Sequence, residues 1–500
     1  MYYPSKKEFI ALTQKGNLIP VYREILGDLE TPVSTYLKIA AKAKYSCLLE
    51  SVEGQEKIAR YSFLAKDPEL VFQSKGRTAE IIQFKNGRIQ KNSLKVLDTP
   101  LSFIREIMAR YKFVEVANLP RFCGGLIGYM GYDLVRYFET IPEKTKDDLH
   151  LPDMIFMLFK NMVIFDHMTH KIKIISCAHA DSKASNHEKL SAYENALTAV
   201  DRIVEELNLA TLDQKQIEDT QFQKLQLKSN MTETQFKNSV RKAKERITAG
   251  DIIQVVLSQR FETQIQAHPF RIYRELRSVN PSPYMYYLKL DNVALVGSSP
   301  ELLVRCEDGI VETRPIAGTR KRGKTDKDDA SLQKELLSDP KERAEHTMLV
   351  DLGRNDLGRV CIQGTVKLSE FMSIEKYSHV MHIVSNVKGK LRPDKDIFDV
   401  LQAAFPAGTV SGAPKIRAME IIEDLEPTKR GPYAGCIGYF SFSGNLDTCI
   451  TIRTIVIKDE KAYIQAGAGI VADSQPQHEY LETINKAKAQ LMAIEMAHQE

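Results

Sequence analysis

Two carboxylates on separate helices, an arginine inside a strand and a histidine in an apolar run are the side chains best suited to chemistry in this sequence. Glu345 falls within the helix expected over residues 341–352, and Glu482 within that expected over residues 477–497. Two such carboxylates, completed by waters, suit Mg2+, which takes few protein oxygens and shares its sphere with an anionic ligand. Taken alone, both read first as solvated helix residues, with Glu482 paired to Lys486 one turn on. Arg453 interrupts a strand of threonines and isoleucines. An arginine there is costly unless paired, and its planar fork fits either a carboxylate or a salt bridge at a barrel rim. His382, in VMHI at residues 380–383, is either a core histidine with its hydrogen bonds met or a proton-transfer group at neutral pH.

The string GTRKRGKT at residues 318–325 matches the phosphate-cradling pattern GxxxxGK[ST]. That motif needs a buried strand before it and a helix starting at the lysine. Here the approach carries Arg314 and Pro315, and DKDD at residues 326–329 is too polar to bury a first helical turn. A P-loop nucleotide-binding protein is therefore the remote alternative.

The elements that must position these groups are mostly strands. Before residue 181, strand-like stretches cover residues 45–49, 70–72, 79–84 (ahead of an Asn86-Gly87 hairpin signal), 154–165 and 171–177. A helical pattern runs from Leu190 to Leu207, and residues 210–230 form a polar, Gln-rich connector. Thr232 and Gln235 then fit a capping box; Phe236, Val240, Ala243 and Ile247 make one helix face, and Gly250 supplies the stop. Residues 251–262 read as a strand. Further on, residues 438–442, 447–458 and 462–471 read as consecutive strands turning at Gly444-Asn445 and Asp459-Glu460. Tight turns between neighbouring strands argue for antiparallel sheets and an α+β class.

Composition sets outer limits. The 500 residues carry a formal net charge of +4, which is too small a surplus for a nucleic-acid or membrane-surface binder. Seven cysteines without a CxxC pair indicate neither a disulfide framework nor a structural zinc. No signal-peptide core or bilayer-length apolar run is present in the sequence, so a cytoplasmic enzyme is expected.

Several unusual strings then converge: PIAGT at 315–319, AEHTMLVDLGRND at 344–356, FPAGTVSGAPK at 405–415 and IQAGAGI at 464–470, with LLES at 48–51, RYSF at 60–63 and NPSPYM at 280–285. Together they resemble the chorismate-utilising enzymes, most closely the anthranilate-forming branch. The resemblance implies orthogonally packed antiparallel sheets flanked by helices, a four-layer αββα fold. It implies an N-terminal region (1–180) carrying much of a regulatory amino-acid site, a helix plus connector (181–230) and a chorismate-binding catalytic domain (231–500). It makes Glu345 and Glu482 the Mg2+ ligands. It assigns Gly318, Thr319, Tyr433, Arg453, Gly467, Ala468, Gly469 and Lys486 to substrate binding, and His382, Glu301 and Thr409 to the catalytic group. Glu301 would be the general acid for a departing hydroxyl, which requires a pKa raised by burial. Ser51, Pro283, Tyr284 and Met285 match a site for L-tryptophan as feedback inhibitor.

Two positions separate the reactions within the family. Isochorismate- and salicylate-forming relatives place a water-activating lysine where this chain has Gln254, and aminodeoxychorismate synthases place a nucleophilic lysine where it has Ala317. The resemblance thus implies an ammonia-using enzyme that makes anthranilate and pyruvate, the first committed step of tryptophan biosynthesis, with an aminodeoxychorismate synthase as the alternative. No glutaminase elbow is evident around Cys123, so ammonia is expected from a separate glutamine amidotransferase subunit, in a heterotetramer of two large and two small subunits.

Overall fold

A computed structural model describes residues 1–51, 60–85, 88–210, 225–376 and 380–498. The Asn86-Gly87 turn and most of the polar connector lie outside these residues. Among them the chain forms two large antiparallel sheets, of 13 and 12 strands, with helices against their outer faces. This is the expected α+β arrangement of antiparallel sheets and flanking helices.

Strand alternation separates two cores. Along Tyr284–Leu290, Tyr286, Leu288 and Leu290 point into the core shared by both sheets, while Met285 and Tyr287 join a second core under the helices. Ile455 and Ile457 likewise face the helices and Val456 the inter-sheet side. Helices Pro32–Ile39, Pro269–Val279 and Pro476–Ala497 cover the first sheet; Asp326–Ser338 and Pro340–Gly358 lie on the second. Both sheets draw strands from both ends of the chain. Tyr45–Glu50 pairs with Tyr284–Leu290 in the first, and Gly125–Met130 with Cys436–Ser441 in the second.

Local signals in the sequence account for several boundaries. Thr232 and Gln235 close a reciprocal capping box on helix Glu233–Thr248, and Gly250 ends it at φ +82°. Asp459 and Glu460 both adopt positive φ in a two-residue turn between Thr454–Lys458 and Lys461–Ile470.

Two stretches that read as single strands are each divided between the sheets. Residues 154–165 split at Lys160 into Met154–Phe159 of the second sheet and Asn161–Asp166 of the first. Residues 447–458 split into Leu446–Ile450 of the second sheet and Thr454–Lys458 of the first, separated by residues 451–453. Alternation along 447–458 is therefore not continuous, and Arg453 is no mid-strand residue. It occupies the bend itself, at φ +52°.

Candidate active site

A second crossover lies beside the first. Val293–Ser299 belongs to the first sheet and Leu302–Glu307 to the second, so Glu301 also sits where the chain changes sheet. The Ile450 N–H donates to the Glu301 carbonyl at 3.0 Å, and the Ser298 N–H to the Arg453 carbonyl at 3.2 Å. These backbone bonds tie the two crossovers together and place an acid and a cation in the same cleft between the sheets.

Burial sets the chemistry of this pair. Glu301 is 7% exposed, and desolvation pushes its pKa up to about 8, against weaker opposing pulls from the Thr409 hydroxyl, the Ile316 N–H, Arg453 and Lys486. The Thr409 hydroxyl lies close enough to act on Glu301 but makes no hydrogen bond of normal geometry. Glu301 is thus a carboxylic acid able to stay protonated at neutral pH. Burial lowers the Arg453 pKa, opposed by Tyr433, Glu482 and Glu301. Arg453 makes no ion pair or hydrogen bond through its guanidinium among the described residues, a costly state that an anionic ligand would relieve.

His382 lies on Val380–Lys390 directly opposite Thr319 of Ile316–Lys321. Its Nδ1 is 3.0 Å from both the Gly318 carbonyl and Thr319 Oγ1. A proton on Nδ1 satisfies the carbonyl and leaves the lone pair on Nε2. Burial is the largest influence on its pKa and lowers it, with Arg453 adding to the effect, so the ring is neutral and can accept a proton. Gly318 takes φ +67° at a bulge in this strand pair, which turns Thr319 toward His382.

The opposite wall is Lys461–Ile470, paired with Gln254–Gln264. Lys486 Nζ donates to the Gly467 carbonyl at 3.0 Å and pairs with Glu482 at 2.6 Å. The i,i+4 pair expected of a solvated helix residue is therefore present within the cleft. Tyr433 is buried, which raises its pKa to about 12 despite nearby Arg430. Ala468 is fully buried between Gly467 and Gly469.

Glu345, on helix Pro340–Gly358, lies near enough to Glu482, on helix Pro476–Ala497, for the two charges to interact. Burial raises the Glu345 pKa, the Gln254 amide lowers it from 3.3 Å, and Glu342 and Glu482 raise it further. Glu479 is raised by burial and by Glu482. Carboxylates that repel one another, with oxygen donors only, are a set that a hard dication fits. No group of three or more acidic, His or Cys ligands occurs among the described residues, and Mg2+ does not require one.

Several supports were not read from sequence. Arg430 makes a buried bidentate pair with Glu426 and donates to the Val410 and Val256 carbonyls, bracing the Thr409 segment against the glycine wall. Only its RGPY context before Tyr433 pointed to it. The stretch at residues 318–325 is no phosphate cradle. Contrary to the expectation of no helix there, Thr325 caps one over Asp326–Ser338, but the Gly323 N–H and the Arg322 guanidinium both bind the Asp329 carboxylate. The loop's donors are turned onto its own acid.

Ser51, Pro283, Tyr284 and Met285, matched in the sequence to an inhibitor site, lie on or next to strands to one side of this cleft. Glu50 pairs with Met285, so Ser51 adjoins Tyr284. Ser51 Oγ is buried without a hydrogen-bond partner among the described residues. Tyr284 and Met285 point to opposite faces, with the Tyr284 hydroxyl bonded to Asp447 and Arg305 and Met285 packed in the helix-side core. They do not wall one pocket from the same side.

The two sheets and the buried acid and the guanidinium at their crossovers form one candidate active site. A family profile described as chorismate binding enzyme matches residues 47–492. The chain is 51% identical to anthranilate synthase component 1 of Acetivibrio thermocellus and 48% identical to that of Aquifex aeolicus, covering 99% of this chain in each case and 99% and 98% of those proteins. The crystal structure of anthranilate synthase component I from Streptococcus pneumoniae TIGR4 superposes with a TM-score of 0.75 at 39% identity, over 93% of this chain and 98% of that one. The chain belongs to the chorismate-binding enzymes and, within them, groups with the anthranilate synthase component 1 proteins.

Proposed function

We propose that the protein converts chorismate and ammonia to anthranilate and pyruvate, the entry step to tryptophan. The observation that carries this reading is a half-buried Arg453, without an ion pair among the described residues, beside a Glu301 whose pKa is about 8. Arg453 holds a substrate carboxylate, with Tyr433, Lys486 and the backbone of residues 467–469 around it. Glu301 gives its proton to the departing C4 hydroxyl as ammonia adds at C2. His382, neutral and with Nδ1 directed at the Gly318 carbonyl, then takes the C2 proton as pyruvate leaves. Thr319 and Thr409 line the same cleft.

Glu345 and Glu482 would hold Mg2+, which when bound screens and orients the substrate carboxylate. Two positions favour ammonia over other nucleophiles. Gln254 is committed to Glu345 and cannot act as a base toward water, and buried Ala317 offers no amine for a covalent intermediate. A glutamine amidotransferase subunit supplies the ammonia in the assembled heterotetramer. L-Tryptophan inhibits by binding at Ser51, Tyr284 and the adjoining Pro283–Met285 backbone. A cytoplasmic location is in keeping with the lack of any helix long and apolar enough to cross a membrane among the described residues. Product analysis after incubation with chorismate, Mg2+ and ammonium tests the reaction. Anthranilate supports it, while a non-aromatic amino product without pyruvate would make the protein an aminodeoxychorismate synthase.

A further inference from the structure

The two halves of the chain repeat one another. Helix Lys6–Leu12, strand Leu18–Leu26, helix Pro32–Ile39 and strands Tyr45–Glu50 and Tyr61–Lys66 recur in order as Glu233–Thr248, Gln254–Gln264, Pro269–Val279, Tyr284–Leu290 and Val293–Ser299. The pairings recur too. Leu18–Leu26 pairs with Lys171–His179 as Gln254–Gln264 pairs with Lys461–Ile470, and Leu70–Lys75 pairs with Met154–Phe159 as Leu302–Glu307 pairs with Leu446–Ile450. Both crossovers of the catalytic cleft therefore have counterparts, for the chain changes sheet at residues 67–69 and again at Lys160. Short stretches of sequence mark the same match. PEL at 68–70 matches PEL at 300–302, KNMVIF at 160–165 matches RTIVIK at 453–458, and HEKLSAYENA at 187–196 matches HEYLETINKA at 478–487. Glu69 thus stands where the second half has Glu301, Lys160 where it has Arg453, and Asn195 where it has Lys486.

A cleft of about 990 Å3 lies at these counterpart positions, a volume that accommodates a small molecule. Glu69, Lys160 and Asn195 line it, and residues 176–179, on the strand that matches Lys461–Ile470, form one wall. Lys160 and Glu69 pair at 2.5 Å, so each has its charge met within the cleft. Asp67, the other acid among the lining residues, lies 3.8 Å from Lys66. Lys42, Lys44, Arg88 and Arg202 also line the cleft and make no ion pair among the described residues. The surplus charge is positive, and a concave wall of one sign focuses its field on an anion.

The catalytic parts are missing from this half. Ser191 stands where the second half has Glu482. Between Leu70–Lys75 and Gly125–Met130, the described residues hold no counterpart of helix Pro340–Gly358 or of strands Ile316–Lys321 and Val380–Lys390, which carry Glu345, Thr319 and His382. What remains is the anion-holding part of a cleft, without a free acid, a base or metal ligands. We propose that the cleft around Lys160 is a second binding site, which takes a small organic dicarboxylate without metal and without turnover. The site follows from the repeat; the choice of a dicarboxylate rests on the proposed use of chorismate in the matching cleft. The proposed inhibitor position is elsewhere. Tyr45 lines this cleft, whereas Ser51 follows the far end of the same strand, roughly 20 Å away.

The test is calorimetric titration with chorismate in EDTA, with neither Mg2+ nor ammonium present, so that no turnover occurs. Arg453→Ala, which removes the guanidinium of the catalytic cleft, is expected to keep one binding event per chain. Adding Lys160→Ala or Arg202→Glu to that variant should weaken the remaining event by about tenfold or more, as for the loss of one charged contact. Arg202 is exposed on helix Asn186–Leu209, so its reversal tests the charge without disturbing the core. As single variants, both should keep the chorismate kcat/KM within about twofold of wild type. No binding to Arg453→Ala overturns the proposal, and so does binding that neither second substitution weakens. Failure of the wild type to form anthranilate is read in a separate assay and overturns the reaction, while the titration still decides the site.

Discussion

The hydroxyl of Tyr433 stands 2.6 Å from the point that a β-carbon on Gly467 would occupy. The ring fits against the strand only because residue 467 has no side chain, and the Leu257 carbonyl and Val256 crowd the same point at 3.0 and 3.1 Å. Gly467→Ala should push the Tyr433 hydroxyl out of the cleft. We expect a chorismate KM raised about tenfold or more, with a circular dichroism spectrum like that of wild type. An unchanged KM would remove Tyr433 and the glycine wall from the substrate site.

Arg453 combines two costs, a left-handed backbone and a half-buried cation without an ion pair among the described residues. Function keeps both in this account. Arg453→Gly should therefore stabilise the fold, by ~1 kcal/mol from the backbone alone. It should also weaken chorismate binding by roughly 10–100-fold, the loss of a charged hydrogen-bonded contact. Thermal denaturation and steady-state kinetics read the two effects separately. A destabilised variant would mean that the guanidinium serves the fold.

Glu301 links activity to pH. As the acid it must be protonated, so the chorismate kcat/KM at saturating ammonium should fall as pH rises through about 8. The low-pH limb belongs to His382 and lies below its ordinary range, because burial lowers that pKa. Stability carries the opposite sign from a salt-bridged carboxylate. The folded state holds the Glu301 proton more tightly than the unfolded chain, so stability is greatest below the unfolded pKa of 4.5 and falls as pH rises toward about 8. Gln does not titrate, so Glu301→Gln should melt higher than wild type at pH 8 and by a smaller margin at pH 4. Its kcat should drop by about 100–10,000-fold. Equal melting shifts at both pH values would contradict the buried acid.

Adjacent strands join the proposed inhibitor residues to the cleft. Glu50 pairs with Met285, Met285 with Ser298, and the Ser298 N–H bonds the Arg453 carbonyl. Three strand spacings, roughly 14 Å, separate Ser51's strand from Arg453. A ligand that shifts the Ser51 end has a direct path to the substrate arginine. Ser51→Ala should raise the tryptophan concentration for half-inhibition about tenfold and leave uninhibited kcat unchanged. The chain contains no tryptophan, so indole emission from the ligand reports its binding without background. Wild-type sensitivity in Ser51→Ala would place the inhibitor elsewhere.

What the sequence disclosed depended on whether a residue's role was local. Thr232, Gln235 and Gly250 act within a few residues of themselves, and their cap and stop were readable. Asp459 and Glu460 were equally plain as a turn. The change of sheet at residues 451–453 was not, because alternation continues through it and Arg453 is no turn-forming residue. Glu301 was legible as an acid only through the family resemblance; its burial comes from two crossovers more than 150 residues apart in sequence, at 301 and 453. Glu345 and Glu482 belong to separate helices and come within electrostatic reach of each other only in the fold, so each alone looks like an ordinary surface glutamate.

The central claim is that one cleft forms anthranilate from chorismate with loss of pyruvate, using carboxylates on two helices to hold Mg2+. The most direct measurement is the simultaneous yield of blue-fluorescent anthranilate and of pyruvate from chorismate, ammonium and Mg2+, in wild type and in Glu482→Gln. The account predicts equal yields of the two products in wild type, and a folded Glu482→Gln protein that makes neither. Chorismate consumed without pyruvate, or full turnover in Glu482→Gln, would contradict it.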